Sequence, residues 1–476
     1  MPRKNGNLEP LSSGSRGIGR AIYRNKLDTL NTILSPGYFN DDWTLLRDID
    51  FMDIVAADGS MAARLSVGTR LVLLQAPETA STARRLLAAA RSPLGDLSAV
   101  MASPPTITDP VTDGANSTVQ TAQTVSAGMF LPSDPTRVSL FGGPISTGAF
   151  PTGGRIQTLT RTTGAMFMGH SAGIAFYTDA PLFDVVLRCN GARWSAYVTD
   201  TNGVRARISA TDRVQAFANQ NYYKIDFGSA APGGRLVEIY LGQGSNFGGI
   251  NVPTGYSIWP APLSQQPKLG ALWDSFGDAV MNDATLNLKL GTMDWFAGVF
   301  GCNNPHVNAL ASTGTIATNG GANYLTFVQR LQAGDMDASR IGNLDLIFAP
   351  GSVNDGLIPP GGIASPAGDA TVQAAYQAEI ALLRERQPRA IIVGASQQFN
   401  TVAAIASRTA AYRAGFFAAA ANDNRCIWID GSLFESAPSL GVIGADNVHP
   451  ASVYGSRQIG ERIGRMILPY LTALAA

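Results

Sequence analysis

Leu269-Gly270-Ala271-Leu272-Trp273-Asp274-Ser275-Phe276-Gly277 is a short apolar run that ends on an Asp-Ser pair and a glycine. Residues 269–272 carry no polar side chain, the pattern of a strand buried on both faces, and Ser275 stands where that strand gives way to a turn. Apolar runs recur at 306–311, 344–349, 390–394 and 426–429, with helical patterns between and after them, clearest at 371–386, 401–421 and 452–474. Continuous apolar strands alternating with helices predict a parallel sheet covered by helices, an α/β unit over residues 265–476. In such sheets chemistry gathers beyond the carboxyl ends of the strands. Ser275 follows the first run, Asn354 the third, and Asp446 and His449 the fifth, so all four are expected on one rim.

These residue types suit acyl transfer. A serine hydroxyl is a poor nucleophile until a base takes its proton, and an imidazole titrates near the working pH. Asp446, three residues before His449, can accept from the second imidazole nitrogen and fix its tautomer. Taken singly, Asp446 to His449 is an ordinary loop and Asn354-Asp355-Gly356 an ordinary turn. Taken in order, Trp273-Asp274-Ser275-Phe276, Gly351-Ser352-Val353-Asn354-Asp355 and Asp446-Asn447-Val448-His449-Pro450 resemble the SGNH, or GDSL-type, serine hydrolases over residues 265–476.

The resemblance implies a flavodoxin-like three-layer α/β/α hydrolase domain with Ser275 as nucleophile, His449 as base and Asp446 orienting His449. It also implies oxyanion donors: the Ser275 N–H, the Asn354 side-chain amide, and a backbone N–H after the second strand, where the family has a glycine. In Ala311-Ser312-Thr313-Gly314-Thr315 an ungapped match puts Thr313 at that place and a shift of one residue puts Gly314 there; Gly314 is taken as the donor. Trp273 departs from the family, holding the position of its motif glycine. The indole then either packs, as a wall of an acyl pocket for example, or distorts the turn.

Upstream, residues 128–264 change to short strands separated by Gly-, Asn- and Pro-bearing turns, with Thr201-Asn202-Gly203 a hairpin signal. Trp194, Ala196 and Val198 alternate with Arg193, Ser195 and Tyr197, which predicts a half-buried strand. The spacing predicts an antiparallel β-sandwich, and a jelly-roll-like module there resembles two-domain carbohydrate esterases of the same family. Residues 78–127 have linker composition with room for one helix, residues 1–77 form an extension with no assigned fold, and a chain starting near residue 128 is expected to fold alone.

Composition narrows the partners. Lys plus Arg and Asp plus Glu are both 35 in 476 residues, so no net charge points to nucleic acid. The three cysteines, Cys189, Cys302 and Cys426, are too sparse for a disulfide framework and are expected as buried core residues, and His170, His306 and His449 lack metal-ligand spacing. No metal or cofactor is expected. Ser12 to Gly19 resembles the glycine fingerprint of short-chain dehydrogenases, but Leu8 to Leu11 make a poor strand, Ser13 stands where the first glycine belongs and no convincing Tyr-x-x-x-Lys follows, so nicotinamide binding is not expected. Neither a secretory signal nor an apolar run long enough for a membrane span is visible. The function expected is a serine esterase removing small acyl groups, acetyl above all, from a carbohydrate or polysaccharide. Trp194, Tyr222, Tyr223 and Trp259 are candidates for stacking on sugars. The alternative is a phage tail or receptor-binding protein, its basic N-terminal arm docking on particle components and its esterase domain active or vestigial. A virion-associated or a cytoplasmic location and a homo-oligomer are left open.

Overall fold

The computed structural model describes residues 6–12, 20–25, 51–55, 61–67, 70–75, 77–110, 129–130, 138–141, 145–150, 153–158, 173–188, 193–214, 221–242, 246–261, 266–277, 288–309, 313–318, 325–355, 368–396, 403–421, 423–431, 442–444 and 449–475. Met1–Leu87, Ala420–Ile427 and Leu468–Ala476 form one compact unit; Ala88–Ala419 and Trp428–Ile467 form another. In the first, Gly6–Ser12, Arg20–Asn25, Phe51–Val55, Met61–Val67 and Arg70–Gln75 make one sheet in chain order. Its pairs are antiparallel except the second with the third, which is parallel.

The parallel sheet expected over 265–476 is present. Its strands are β1 (Leu269–Trp273), β2 (His306–Ala309), β3 (Leu346–Pro350), β4 (Ile391–Ala395) and β5 (Cys426–Ile429), in the spatial order β2-β1-β3-β4-β5. Pairings β2/β1, β1/β3 and β3/β4 are all parallel. Every residue of β1, β3 and β4 is buried, as their continuous apolar pattern requires. This is the flavodoxin-like order, whose winding reverses between β1 and β3 and opens a crevice beyond their carboxyl ends. Ser275 and Asn354 therefore leave the sheet on the two sides of that crevice.

Four helices matter for the site: α1 (Thr292–Val299), α2 (Asp369–Arg386), α3 (Ala403–Ala419) and α4 (Val453–Ala475). Asp369 in the first turn of α2 and Arg384 and Arg386 in its last complement the helix dipole. Helices α2 and α3 pack on each other and on β4. Ile459, Ile463 and Ile467 give α4 a fully buried stripe at four-residue spacing. A Cβ at Gly460 would stand 2.3 Å from the Thr292 carbonyl oxygen, so glycine is what lets α4 lie directly on α1.

Residues 106–260 build two antiparallel sheets. One runs Thr106–Thr108, Asn221–Asp226, Leu182–Arg188, Asn246–Asn251, Gly153–Thr158, Ile145–Phe150; the other runs Arg205–Arg207, Arg193–Thr199, Arg235–Leu241, Gly173–Thr178, Ile258–Pro260. A single hydrophobic cluster joins Phe183, Val185, Leu187 and Ile225 of the first to Ile174, Phe176, Trp194 and Ile239 of the second. Trp194 and Tyr223 lie inside this core, which removes both from the sugar-stacking candidates.

Two expectations change here. Arg193–Thr199 is buried on both faces: Ser195 and Tyr197 are each only 1% exposed. Their face is covered by a polar seam against the α/β part. Asn303 Nδ2 donates to Glu238 (3.1 Å), the Leu288 N–H donates to Asp212 (2.6 Å), and the Lys289 ammonium faces the Tyr240 ring at 4.9 Å. Within the supposed linker, residues 94–108 are part of the same body. Leu97 clusters with Leu290 and Trp295, and its carbonyl accepts from the Tyr197 hydroxyl at 2.9 Å. The Leu94 N–H donates to Gly298 at 3.0 Å, and Thr106–Thr108 pairs with Asn221–Asp226. A chain starting at residue 128 would lack the Leu97 plug and that edge strand. Among the cysteines, Cys302 is buried as expected, Cys426 is half-buried beside Asp423, and Cys189 lies outside the described residues.

Leu97→Ala should destabilise the protein by about 2–5 kcal/mol, the range for truncating a buried leucine. Urea unfolding checks this, and a loss under about 0.5 kcal/mol, typical of a surface change, would mean that Leu97 is not part of the core.

Candidate active site

Strand β1 stops at Trp273 and the chain folds into a tight turn. The Asp274 carbonyl accepts from the Gly277 N–H and its carboxylate accepts from the Phe276 N–H, both at 3.1 Å, which leaves Ser275 at the tip. On the far side of the sequence, His449 is held by a short antiparallel bridge. Its carbonyl accepts from the Gly444 N–H at 2.8 Å, and the Ala451 N–H donates to Val442 at 2.9 Å. His449 Nε2 lies 2.8 Å from Ser275 Oγ. Two residues separated by 174 positions thus make the contact that a nucleophile and its base require. Asp446 lies outside the described residues.

After β3 the chain enters the short turn Val353–Asp355. Ser352 Oγ is 2.7 Å from Asp274 Oδ2 and 3.0 Å from the Thr313 carbonyl oxygen, and it accepts from the Asn354 N–H at 3.1 Å. The Asn354 side-chain amide donates to the Thr313 carbonyl at 2.9 Å. That nitrogen carries two hydrogens, and the bond to Thr313 uses one of them and orients the amide. Burial pushes the Asp274 carboxyl up to about 6, overcoming the lowering effect of its bonds from Ser352 and Phe276.

The expectation for Gly314 is corrected. Its N–H donates to the Ala317 carbonyl at 3.0 Å, so that amide is engaged inside its own loop. The cause is Asp355, around which the loop curls. Its buried carboxylate accepts from the N–H groups of Thr315 and Ile316 at 3.0 Å and Ala317 at 2.8 Å, and from the Tyr412 hydroxyl. A Cβ at Gly314 would come within 2.4 Å of Asp355 Oδ1, which explains the glycine. Glu379 accepts from the Thr315 hydroxyl at 2.9 Å, and burial raises the pKa of both Asp355 and Glu379. Sequence reasoning passed over Asp355, Ser352, Tyr412 and Glu379. Only the first two had a signal, their adjacency to Asn354.

Trp273 neither lines an open pocket nor spoils the turn. It is 1% exposed, its carbonyl accepts from Arg330 at 2.9 Å, and the Ser275–His449 contact is intact beside it. His306 is buried in β2, with its pKa pushed down to about 4 by desolvation.

No family model and no curated relative matches the chain. Solved structures do. An active-site mutant of a family two carbohydrate esterase from Clostridium thermocellum superposes with a TM-score of 0.53 at 14% identity, over 70% of this chain and 98% of that one. A salicylyl-acyltransferase from a tetracycline biosynthetic pathway gives 0.51 at 16% identity, over 71% and 96%. An acetyl xylan esterase from the rumen bacterium Butyrivibrio proteoclasticus gives 0.50 at 12% identity, over 71% and 97%. The resemblance to the SGNH-type esterases is thus one of fold. Within that fold Ser275 and His449 meet, Asn354 is anchored across the crevice from Ser275, and Gly314 turns its N–H away.

Asp274 carries a pH signature. Its folded pKa lies above the ordinary carboxyl value, so the folded state holds a proton that the unfolded chain releases between about pH 4 and 6. Stability from this group is therefore highest below pH 4 and falls as pH rises to 6. Asp274→Asn should gain on wild type over that interval, seen as a difference in melting temperature that increases from pH 4 to 7. A constant difference would refute the raised pKa.

Proposed function

We propose that this protein is a serine esterase that removes acetyl groups from a carbohydrate through an acyl-enzyme. The observation that carries the proposal is the 2.8 Å contact between Ser275 Oγ and His449 Nε2 at the switch point of a flavodoxin-ordered sheet. In the reaction His449 Nε2 takes the serine proton as Oγ attacks the ester carbonyl carbon. The resulting oxyanion is met by the Ser275 N–H and by the Asn354 amide hydrogen not used by Thr313. Collapse expels the sugar alcohol, which receives the proton from His449. Water then attacks the acyl-enzyme with His449 again as base, and acetate leaves. Asp446 is assigned to orient His449 through Nδ1.

Support for the carbohydrate comes from the names of two of the similar structures, a family two carbohydrate esterase and an acetyl xylan esterase. The two antiparallel sheets, read as a jelly-roll-like sandwich, would hold a glycan chain near the rim. Tyr222 and Trp259, both half-buried, are the remaining stacking candidates.

Ser275→Ala should lower kcat on a small acetyl ester by roughly 10³-fold or more, and a fluorophosphonate should label wild type at Ser275 alone. Asn354→Ala should cost about 10²–10³ in kcat with KM little changed, the signature of a lost oxyanion donor. Undiminished turnover by Ser275→Ala would end the proposal. An acetate-release screen across acetylated polysaccharides, against long-chain esters, tests the substrate class.

A further inference from the structure

We propose that Phe276, backed by Trp273, is a positioning residue that holds the His449 imidazole toward Ser275; this rests on His449 being the base of the proposed esterase. The Phe276 and His449 ring centroids are 5.7 Å apart with their planes within 28°. The Trp273 ring centroid is 5.9 Å from that of Phe276 with planes within 14°, so successive stacking links the three rings into one column. Phe348 of β3 meets the indole edge-on at 5.0 Å and itself touches Phe296 of α1 at 5.6 Å. Trp273 and Phe276 are each 1% exposed. The column therefore runs from the packed sheet to the imidazole.

Its use follows from what His449 must do. The hydrogen bond from Ser275 Oγ reverses when the proton moves to Nε2, which then donates to the leaving alcohol, so it cannot by itself hold the ring through the cycle. A flat neighbour packed against the imidazole face limits ring rotation without competing for either nitrogen. Offset stacking at these distances does that, and stacking with the buried indole fixes Phe276 itself. Trp273 stands where the SGNH motif has a glycine, and a glycine there could not back Phe276. The column accounts for a bulky residue at a position that otherwise calls for the smallest.

The test uses the full chain and several readouts. With ring-labelled histidine the protein should give three imidazole signals in NMR, since it has three histidines. His449→Ala identifies one of them. Phe276→Leu should move that signal downfield by removing the phenyl ring current and lower kcat roughly 10–100-fold with KM little changed, as for a misplaced catalytic group. Phe276→Tyr, which keeps the ring, should recover most of both. Trp273→Phe, which keeps a thinner backing ring, should fall between, and it serves if Phe276→Leu does not fold. The inference is overturned if folded Phe276→Leu keeps wild-type kcat, if activity falls only in proportion to the folded fraction, or if the His449 signal does not move. Ser275→Ala runs in parallel: full activity there would end the esterase reading, while the NMR shift would still report on the column.

Discussion

One buried hydrogen bond, from the Ser352 hydroxyl to the Asp274 carboxylate at 2.7 Å, joins the loop after β3 to the loop after β1. At a switch point these loops diverge, which makes room for a substrate but leaves nothing in the sheet to set their separation. The Ser352–Asp274 bond sets it. Through the Thr313 carbonyl the Asn354 amide also reaches the loop after β2. Three strand ends are thereby fixed to one another by buried and half-buried polar groups that satisfy one another. Ser275, the Asn354 amide and the loop keep their spacing because a handful of polar atoms would otherwise be buried without partners.

The α/β half was legible because its strands carry apolar residues on both faces and its long helices have the expected period. β1, β3 and β4 fall within two residues of their predicted places at either end. Ser275, Asn354 and His449 were legible because strand ends announce where a side chain can reach the rim. Gly314 was misjudged because register along a loop depends on what the loop wraps. Asp355 sits 38 to 40 residues further along the chain from the amides it binds. The Trp273 indole was left between packing and distorting the turn because a lone aromatic in a sequence does not show which neighbours close over it.

The strand Arg193–Thr199 failed for a different reason. Period-two reasoning assigns polar side chains to water, but Ser195 and Tyr197 are buried within the same compact unit, where the Tyr197 hydroxyl donates to Leu97. The ion pairs of that seam, Arg205 with Glu238, Arg207 with Asp212 and Lys289 with Asp294, are each 2.6 Å long, and at least one partner in every pair is nearly inaccessible. Each pair lies within one part, and the seam is crossed by the Asn303 amide to Glu238 and the Leu288 N–H to Asp212. The carboxylates of the sheets' own ion pairs are thus also acceptors for the α/β part, and a different docking would leave buried polar groups without partners.

The curl of residues 313–317 around Asp355 also constrains how the gene can drift. The carboxylate is held by three backbone amides and the Tyr412 hydroxyl, so it cannot withdraw to admit a side chain at position 314. A shorter residue at 355 would make room there but would strand the amides. Neither position can change first without loss. Descendants of this chain should therefore carry glycine at 314 and aspartate at 355 together or exchange both, and mutational libraries that vary one of the two alone will be depleted of folded members.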